Sequence, residues 1–281
     1  MNIRKVFLSL TFVLSVLVVA GCGDNKDNGN VEKLDFEINT LTKDTVCTLF
    51  GGKTGPKCQL NYSLKYASGN DADFINKIIT NNLFPDVSTD TTDLEGAAEH
   101  AVLKAVYDYK ANLKGVTKKS IKDGTVPAGS ADFKRTVDTE SKTLKDQVLV
   151  YTVKYFEQAY GMTNSVENEF TFNISLADKS VVKLEDVFVP GYKDRLVGKI
   201  VGKMAEEYKT SGVEGLQSKG IFSDGMPYAP DNFIVGKDDI TFVYNPFEVA
   251  GRKYGTIRIC LSFDELKDIM KKEWYAFFES K

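Results

Sequence analysis

Apolar and polar residues alternate through Gln59–Tyr66, placing Leu60, Tyr62, Leu64 and Tyr66 on one face. This is the period of a half-buried strand. Shorter strand-like runs precede it at Phe36-Glu37-Ile38 and from Val46 to Phe50. The period then changes. Phe74, Ile75, Ile78 and Ile79 recur at helical spacing within Asp71–Leu83, and Pro85 ends that helix. Asp93–Leu113 is a longer helix whose apolar stripe runs Leu94, Ala98, Ala101, Val102, Ala105, Val106, Tyr109 and Leu113. From Gly115 to Lys145 the chain is polar, broken by Gly and Pro, and carries no clear period.

Alternation returns at Asp146–Tyr160, a strand with apolar groups on both faces, which predicts a strand covered on two sides. Glu167–Leu176 alternates more cleanly. Phe170, Phe172, Ile174 and Leu176 are expected to face the core, and Thr171, Asn173 and Ser175 the solvent. A turn at Ala177–Ser180 leads into a strand over Val181–Leu184. Helical spacing resumes over Asp194–Tyr208 with Leu196, Val197, Ile200, Val201, Met204 and Tyr208. Ser211–Pro230 reads as a loop with exposed aromatics, Phe222 and Tyr228, beside Met226-Pro227.

Asp231–Ile269 spells out a complete unit. Strands are expected at Asp231–Val235, Ile240–Tyr244 and Thr256–Leu261, with a Pro-broken corner at Asn245-Pro246. Ser262 and Glu265 have capping-box spacing, so a helix begins there and is expected to continue through Leu266, Ile269, Met270, Glu273 and Phe277. The order of elements predicts an α+β fold, an antiparallel sheet with helices packed on it, in two related α/β subdomains covering 34–145 and 146–281.

The N-terminus changes the setting. Arg4 and Lys5 precede an apolar run, Val6–Ala20, that is short for a membrane span. It ends in Val19-Ala20-Gly21-Cys22, which resembles a bacterial lipobox. Residues 1–21 are therefore expected to be a lipoprotein signal peptide, with Cys22 lipidated and carrying the protein on a membrane. Residues 22–33 form a flexible tether rich in Asn, Asp and Gly. Asp24 and Asp27 make it similar to tethers of surface lipoproteins in some Bacteroidetes, so the expected address is the outer membrane, on its periplasmic or outer face.

Composition narrows the function classes. The chain is 42% hydrophobic and 27% charged, which is globular. Its net charge of −3 becomes −5 once Arg4 and Lys5 leave with the signal, which argues against nucleic-acid binding. In an oxidising compartment Cys47 and Cys58, which flank the turn-rich Gly51–Pro56, are a disulfide candidate. Cys260 is left over, read as a small buried hydrophobe in its strand.

No metal site or cofactor is expected, since the chain has one histidine and no close cysteine pair. That histidine, His100, falls opposite Val102 on its helix, on the solvated side. Nucleophilic hydrolysis therefore lacks an oriented base. The carboxylate pairs Glu185-Asp186 and Asp238-Asp239 are adjacent and point apart, which does not suit glycoside cleavage. No catalytic residue is assigned.

The second half, from about Asp146 to Lys272, resembles a bacterial extracytoplasmic domain of the RsiV-like type. The resemblance is carried by Phe172-Asn173-Ile174-Ser175-Leu176, Val182–Phe188, Asn232–Val235, Val243–Ala250, and Gly255–Ile259 leading into Phe263–Leu266. Leu64-Lys65-Tyr66 and Phe74–Ile79 look more faintly like the domain that precedes it in that family. Similar paired domains occur outside an anti-sigma factor that senses lysozyme by binding it, and beside a peptidoglycan deacetylase domain. The resemblance implies a binding role, with lysozyme or another envelope protein as partner. The family's Gly-Gly-Ala-His-like turn is matched here by Ala159–Asn164 without the histidine, so lysozyme binding does not transfer residue by residue.

The expectation is a non-catalytic binding module, with a peptidoglycan- or glycan-binding accessory or a structural subunit of an outer-membrane assembly as alternatives. Phe222, Tyr228, Phe247, Arg252 and Tyr254 are the candidate contact residues.

Overall fold

A computed structural model describes residues 34–87, 92–127 and 129–279. The signal, Cys22 and the tether lie outside the described residues. The chain divides into two compact units, residues up to Asp138 with Glu157–Asn164, and Thr139–Phe156 with Ser165 onward. Among the described residues, nine strands form a six-stranded sheet, with neighbours in the order β1 to β6, and a three-stranded sheet, β7-β8-β9. No helix among them is long and apolar enough to cross a membrane.

In the first unit, β1 (Glu37–Thr48) and β2 (Lys57–Ser68) form an antiparallel hairpin. Leu60, Tyr62 and Leu64 are buried, as the alternation requires. The helices α1 (Ala72–Leu83) and α2 (Leu94–Asn112) pack on the hairpin. Asn76 of α1 is buried and pins helix to strand, since its amide donates to Ala67 O and accepts from Ala67 N, both at 2.8 Å. Gly69 has φ 119°, and a Cβ there would lie 2.5 Å from Asp35 O, so no larger residue fits. Asp93 caps α2 by accepting from Gly96 N, and His100 is exposed on that helix.

The aperiodic stretch resolves into a short helix, α3 (Lys118–Lys122), and a strand, β3 (Phe133–Leu144). The first half of β3 runs parallel to β2, so the sheet is mixed rather than wholly antiparallel. Parallel pairing needs a long crossover, which α1, α2 and α3 provide.

Cys47 stands directly opposite Cys58 on the β1–β2 ladder, and both are thiols. The Cys47 thiol is pushed down to about 7 because its thiolate accepts a hydrogen bond from Cys58, whose own thiol is pushed up by the same bond and by burial.

In the second unit, the rest of β3 is followed by β4 (Val148–Gln158), β5 (Val166–Ser175) and the two-residue β6 (Ser180–Val181). Then come α4 (Leu184–Val187), α5 (Lys193–Glu207) and α6 (Gly212–Ser218). The α6 helix occupies part of the stretch read as loop. The strands β7 (Phe233–Val235), β8 (Asp239–Tyr244) and β9 (Ile257–Ser262) follow as two antiparallel pairs. Leu196, Ile200 and Met204 of α5 share one buried cluster with Ile240, Phe242 and Ile259 of that sheet.

Three expectations are corrected here. Cys260 is exposed, because Ile257, Ile259 and Leu261 take the inward positions of β9 and leave Arg258 and Cys260 outside. The helix capped by Ser262 stops at Leu266 (α7, Phe263–Leu266), and α8 (Lys272–Glu279) is separate. Between them the backbone bonds elsewhere: Val189 N donates to Ile269 O and Lys271 N to Val187 O, both at 2.9 Å.

The third correction concerns β5. Ile174 and Leu176 are buried as expected, but Phe170 is 39% exposed, and Thr171, Asn173 and Ser175, expected in solvent, are buried too. Three asparagines explain this. Asn173 donates to Phe233 O (2.7 Å) and accepts from Val235 N (3.0 Å). Asn232 donates to Glu169 O and accepts from Thr171 N, and Asn245 accepts from Glu169 N. The polar face of β5 is thus an internal seam to the second sheet, each amide standing in for a strand partner.

Candidate binding surface

The segment after α6 and the segment after β8 fold against each other. Phe222 N donates to Val249 O at 2.7 Å, and Ile221 and Ala250 form an isolated antiparallel bridge. Asn245-Pro246-Phe247-Glu248 makes a tight turn in which Glu248 N donates to Asn245 O, while Asn245 N donates back to the Glu248 carboxylate at 2.7 Å. The other carboxylate oxygen of Glu248 accepts from Tyr228 Oη at 2.6 Å, which ties the two segments together.

Under this crossing lies a three-ring cluster. Phe222, Tyr228 and Tyr244 meet edge to face, with centroids 5.6 to 6.4 Å apart. Edge-to-face pairs of this kind favour a fixed geometry. Tyr244 is fully buried and donates to Tyr228 O at 2.5 Å. Burial raises the phenols of both Tyr228 and Tyr244, with Glu248 adding to the rise at Tyr228, so both remain protonated donors at neutral pH.

The predicted contact residues separate clearly. Phe222, expected at the surface, is 4% exposed and belongs to the core. Tyr254 is half-buried, its ring edge-on to Tyr208 and its hydroxyl bonded to Lys219 O, so it braces the loop against the segment after α5. Tyr228, Phe247 and Arg252 are exposed. Tyr228 (41%), Phe247 (56%) and Met226 (81%) supply the exposed apolar surface of the two segments.

Phe247 also has φ 68°. A phenylalanine in the left-handed region costs on the order of 1 to 2 kcal/mol. Phe222 has φ 55° as well, but its burial offsets that strain.

Sequence reasoning placed Met226 in the exposed loop without naming it a contact residue, and gave Glu248 no role. The Asn-Pro-x-Glu spacing was the available signal for Glu248, since a carboxylate three residues after Asn245 can reach back to its amide. Among the described residues no three His, Cys, Asp or Glu side chains are grouped to hold a metal ion.

Residues 185–264 match a family described as a protein of unknown function (DUF3298). A member of that family from Bacteroides fragilis NCTC 9343 has the same fold, with TM-score 0.79 and 20% identity over 88% of this chain and 98% of its own. A DUF3298 family protein from Pseudomonas aeruginosa PAO1 has TM-score 0.61 and 12% identity, over 86% of this chain and 97% of its own. Comparison with curated proteins gives no match.

Proposed function

We propose that this chain is a lipid-anchored, extracytoplasmic binding module that acts by contact, with Met226, Tyr228 and Phe247 as the centre of its contact surface. The observation that carries this reading is Phe247, a large apolar side chain held in a strained backbone conformation with its ring left in solvent. Strain that packing does not offset is a mark of functional positions. Exposed aromatics on a braced loop suit a protein hot spot.

The partner we favour is a basic envelope protein, with lysozyme first. The acidic mature chain would attract it by charge, and the RsiV-like resemblance points the same way. The full chain is immobilised and titrated with lysozymes and, separately, with peptidoglycan fragments. Saturable lysozyme binding that Phe247→Ser weakens at least tenfold, at unchanged melting temperature, supports the reading. Binding only to the fragments moves it to glycan recognition. Retention undiminished by both Phe247→Ser and Met226→Ser removes this surface from consideration.

The anchor and the cysteine pair belong to the same proposal. A Cys22→Ser variant is expected to leave the membrane fraction, and its persistence there would refute lipidation. Outside the cytoplasm Cys47 and Cys58 are expected to oxidise to a disulfide, contributing about 3 kcal/mol on the chain-entropy model. Mass spectrometry of the unreduced protein decides this by the loss of two hydrogens. In the reduced protein, alkylation by iodoacetamide should rise through pH 7 at Cys47, the depressed thiol.

A further inference from the structure

A cleft of about 190 Å³ lies in the second unit, between the start of β4, the end of β5 and α8. It shares no residue with the aromatic loop surface. Trp274 and Phe277 of α8 form one wall, and Gln147, Ser175, Asp178 and Glu273 supply the polar edge. Trp274 is half-buried, whereas Asp178 and Glu273 are exposed at the opening. Two carboxylates and two aromatic rings therefore face a common space, and among the described residues its lining includes no cationic side chain, Lys145 lying beside the Phe277 ring.

That combination has a definite preference. Carboxylates attract positive charge, and aromatic faces attract a cation through the ring quadrupole while also covering apolar groups attached to it. An anion would meet repulsion from both carboxylates.

The fold itself already seats one ammonium beside this wall. Lys145 Nζ lies 5.4 Å from the centroid of the Phe277 ring and donates to Phe277 O at 2.7 Å. It reaches that place from a two-residue turn in which Lys145 and Asp146 both have positive φ, 47° and 53°. Two successive non-glycine residues in the left-handed region are a costly way to close a hairpin that Asn-Gly would close without strain. Asp178 is in turn oriented by its neighbours, accepting from Ser175 Oγ at 2.7 Å while its own N–H donates to Ser175 Oγ at 3.1 Å. Pre-set acceptors cost less to organise around a ligand than mobile ones.

We infer that this cleft is a binding site for a small organic cation, a primary or quaternary ammonium, with Trp274 and Phe277 as its aromatic wall and Asp178 and Glu273 as its counter-charges. This assignment is independent of the loop surface proposed above, and either can fail alone.

Trp274 is the only tryptophan in the chain, so its fluorescence reports the site directly. The purified full chain is titrated with choline chloride and with cadaverine. Sodium chloride at matched ionic strength and 3,3-dimethylbutan-1-ol, the neutral isostere of choline, serve as controls. The expected result is a saturable change with choline or cadaverine and none with the controls. Glu273→Gln and Asp178→Asn should each weaken it about tenfold while leaving the melting temperature unchanged. Glu273 is exposed, which makes its variant a test independent of folding. A choline and cadaverine response equal to that of sodium chloride overturns the assignment, as does saturation by the neutral isostere at the same concentration. Preferential saturation by N-acetylglucosamine also overturns it, in favour of a neutral sugar.

Discussion

Phe222 and Phe247 are two phenylalanines in paired segments of one unit, both with left-handed backbones, and the fold treats them oppositely. Phe222 buries its ring between Tyr228 and Tyr244, and its N–H bonds Val249 O. Its strain is offset by burial worth more than the strain costs. Phe247 has the same kind of backbone and leaves 56% of its surface in solvent. The difference is the ground on which the contact surface is proposed at Phe247, where conformational cost is not returned as packing.

The largest effect should come from the buried member. Phe222→Ala is expected to lower stability by about 4 kcal/mol, measured by denaturant unfolding. A loss below about 1 kcal/mol would erase the contrast between the two rings.

Asn173→Ala carries the comparison to polar groups, since this amide does for the β5 seam what the Phe222 ring does for the loops. Its loss leaves Phe233 O and Val235 N without their amide partner in a buried setting, and about 3 kcal/mol is expected by the same measurement. Asn173→Asp keeps an acceptor for Val235 N but presents a carboxylate to Phe233 O. It should be at least as destabilising at neutral pH and recover in part as the pH falls through the carboxylate range, because protonation restores a donor.

Tyr228→Phe removes only the hydroxyl that ties the two segments through Glu248. About 1 kcal/mol is expected, with the three-ring cluster retained in near-ultraviolet circular dichroism.

Phe247→Gly should behave in the opposite sense. Stability rises by roughly 0.5 kcal/mol, the relieved strain less the greater unfolded-state freedom of glycine. Partner retention is lost at the same time. A variant that is destabilised and still binds would show that Phe247 serves the fold.

Much of the architecture was legible because it depends on neighbours in the chain. The stripe of α2, the alternation of β2 and the Ser262–Glu265 capping box are all present where periodicity and spacing place them. The strand β3 was not legible. Its face is built with residues such as Val137 and the buried Thr139, so no apolar alternation announces it. The end of the chain failed for a different reason. Helical spacing does continue past Leu266, but backbone bonds to Val187–Val189 compete with the next turn and win.

The candidate surface was half legible. Aromatic residues in two loop segments could be read, but which rings point inward could not. Phe222 and Phe247 both read as aromatics of loop segments, and only the three-ring cluster, with Glu248 holding Tyr228, sorts the buried ring from the exposed ones.

By itself the sequence determined the order of most helices and strands and the pattern of alternation along β5. Only the tertiary structure decided that the polar side of that alternation is covered as well as the apolar one. Period-two spacing does not say what meets the polar face, and the amides of Asn173, Asn232 and Asn245 are satisfied there only because backbone some 60 to 76 residues away in sequence meets them.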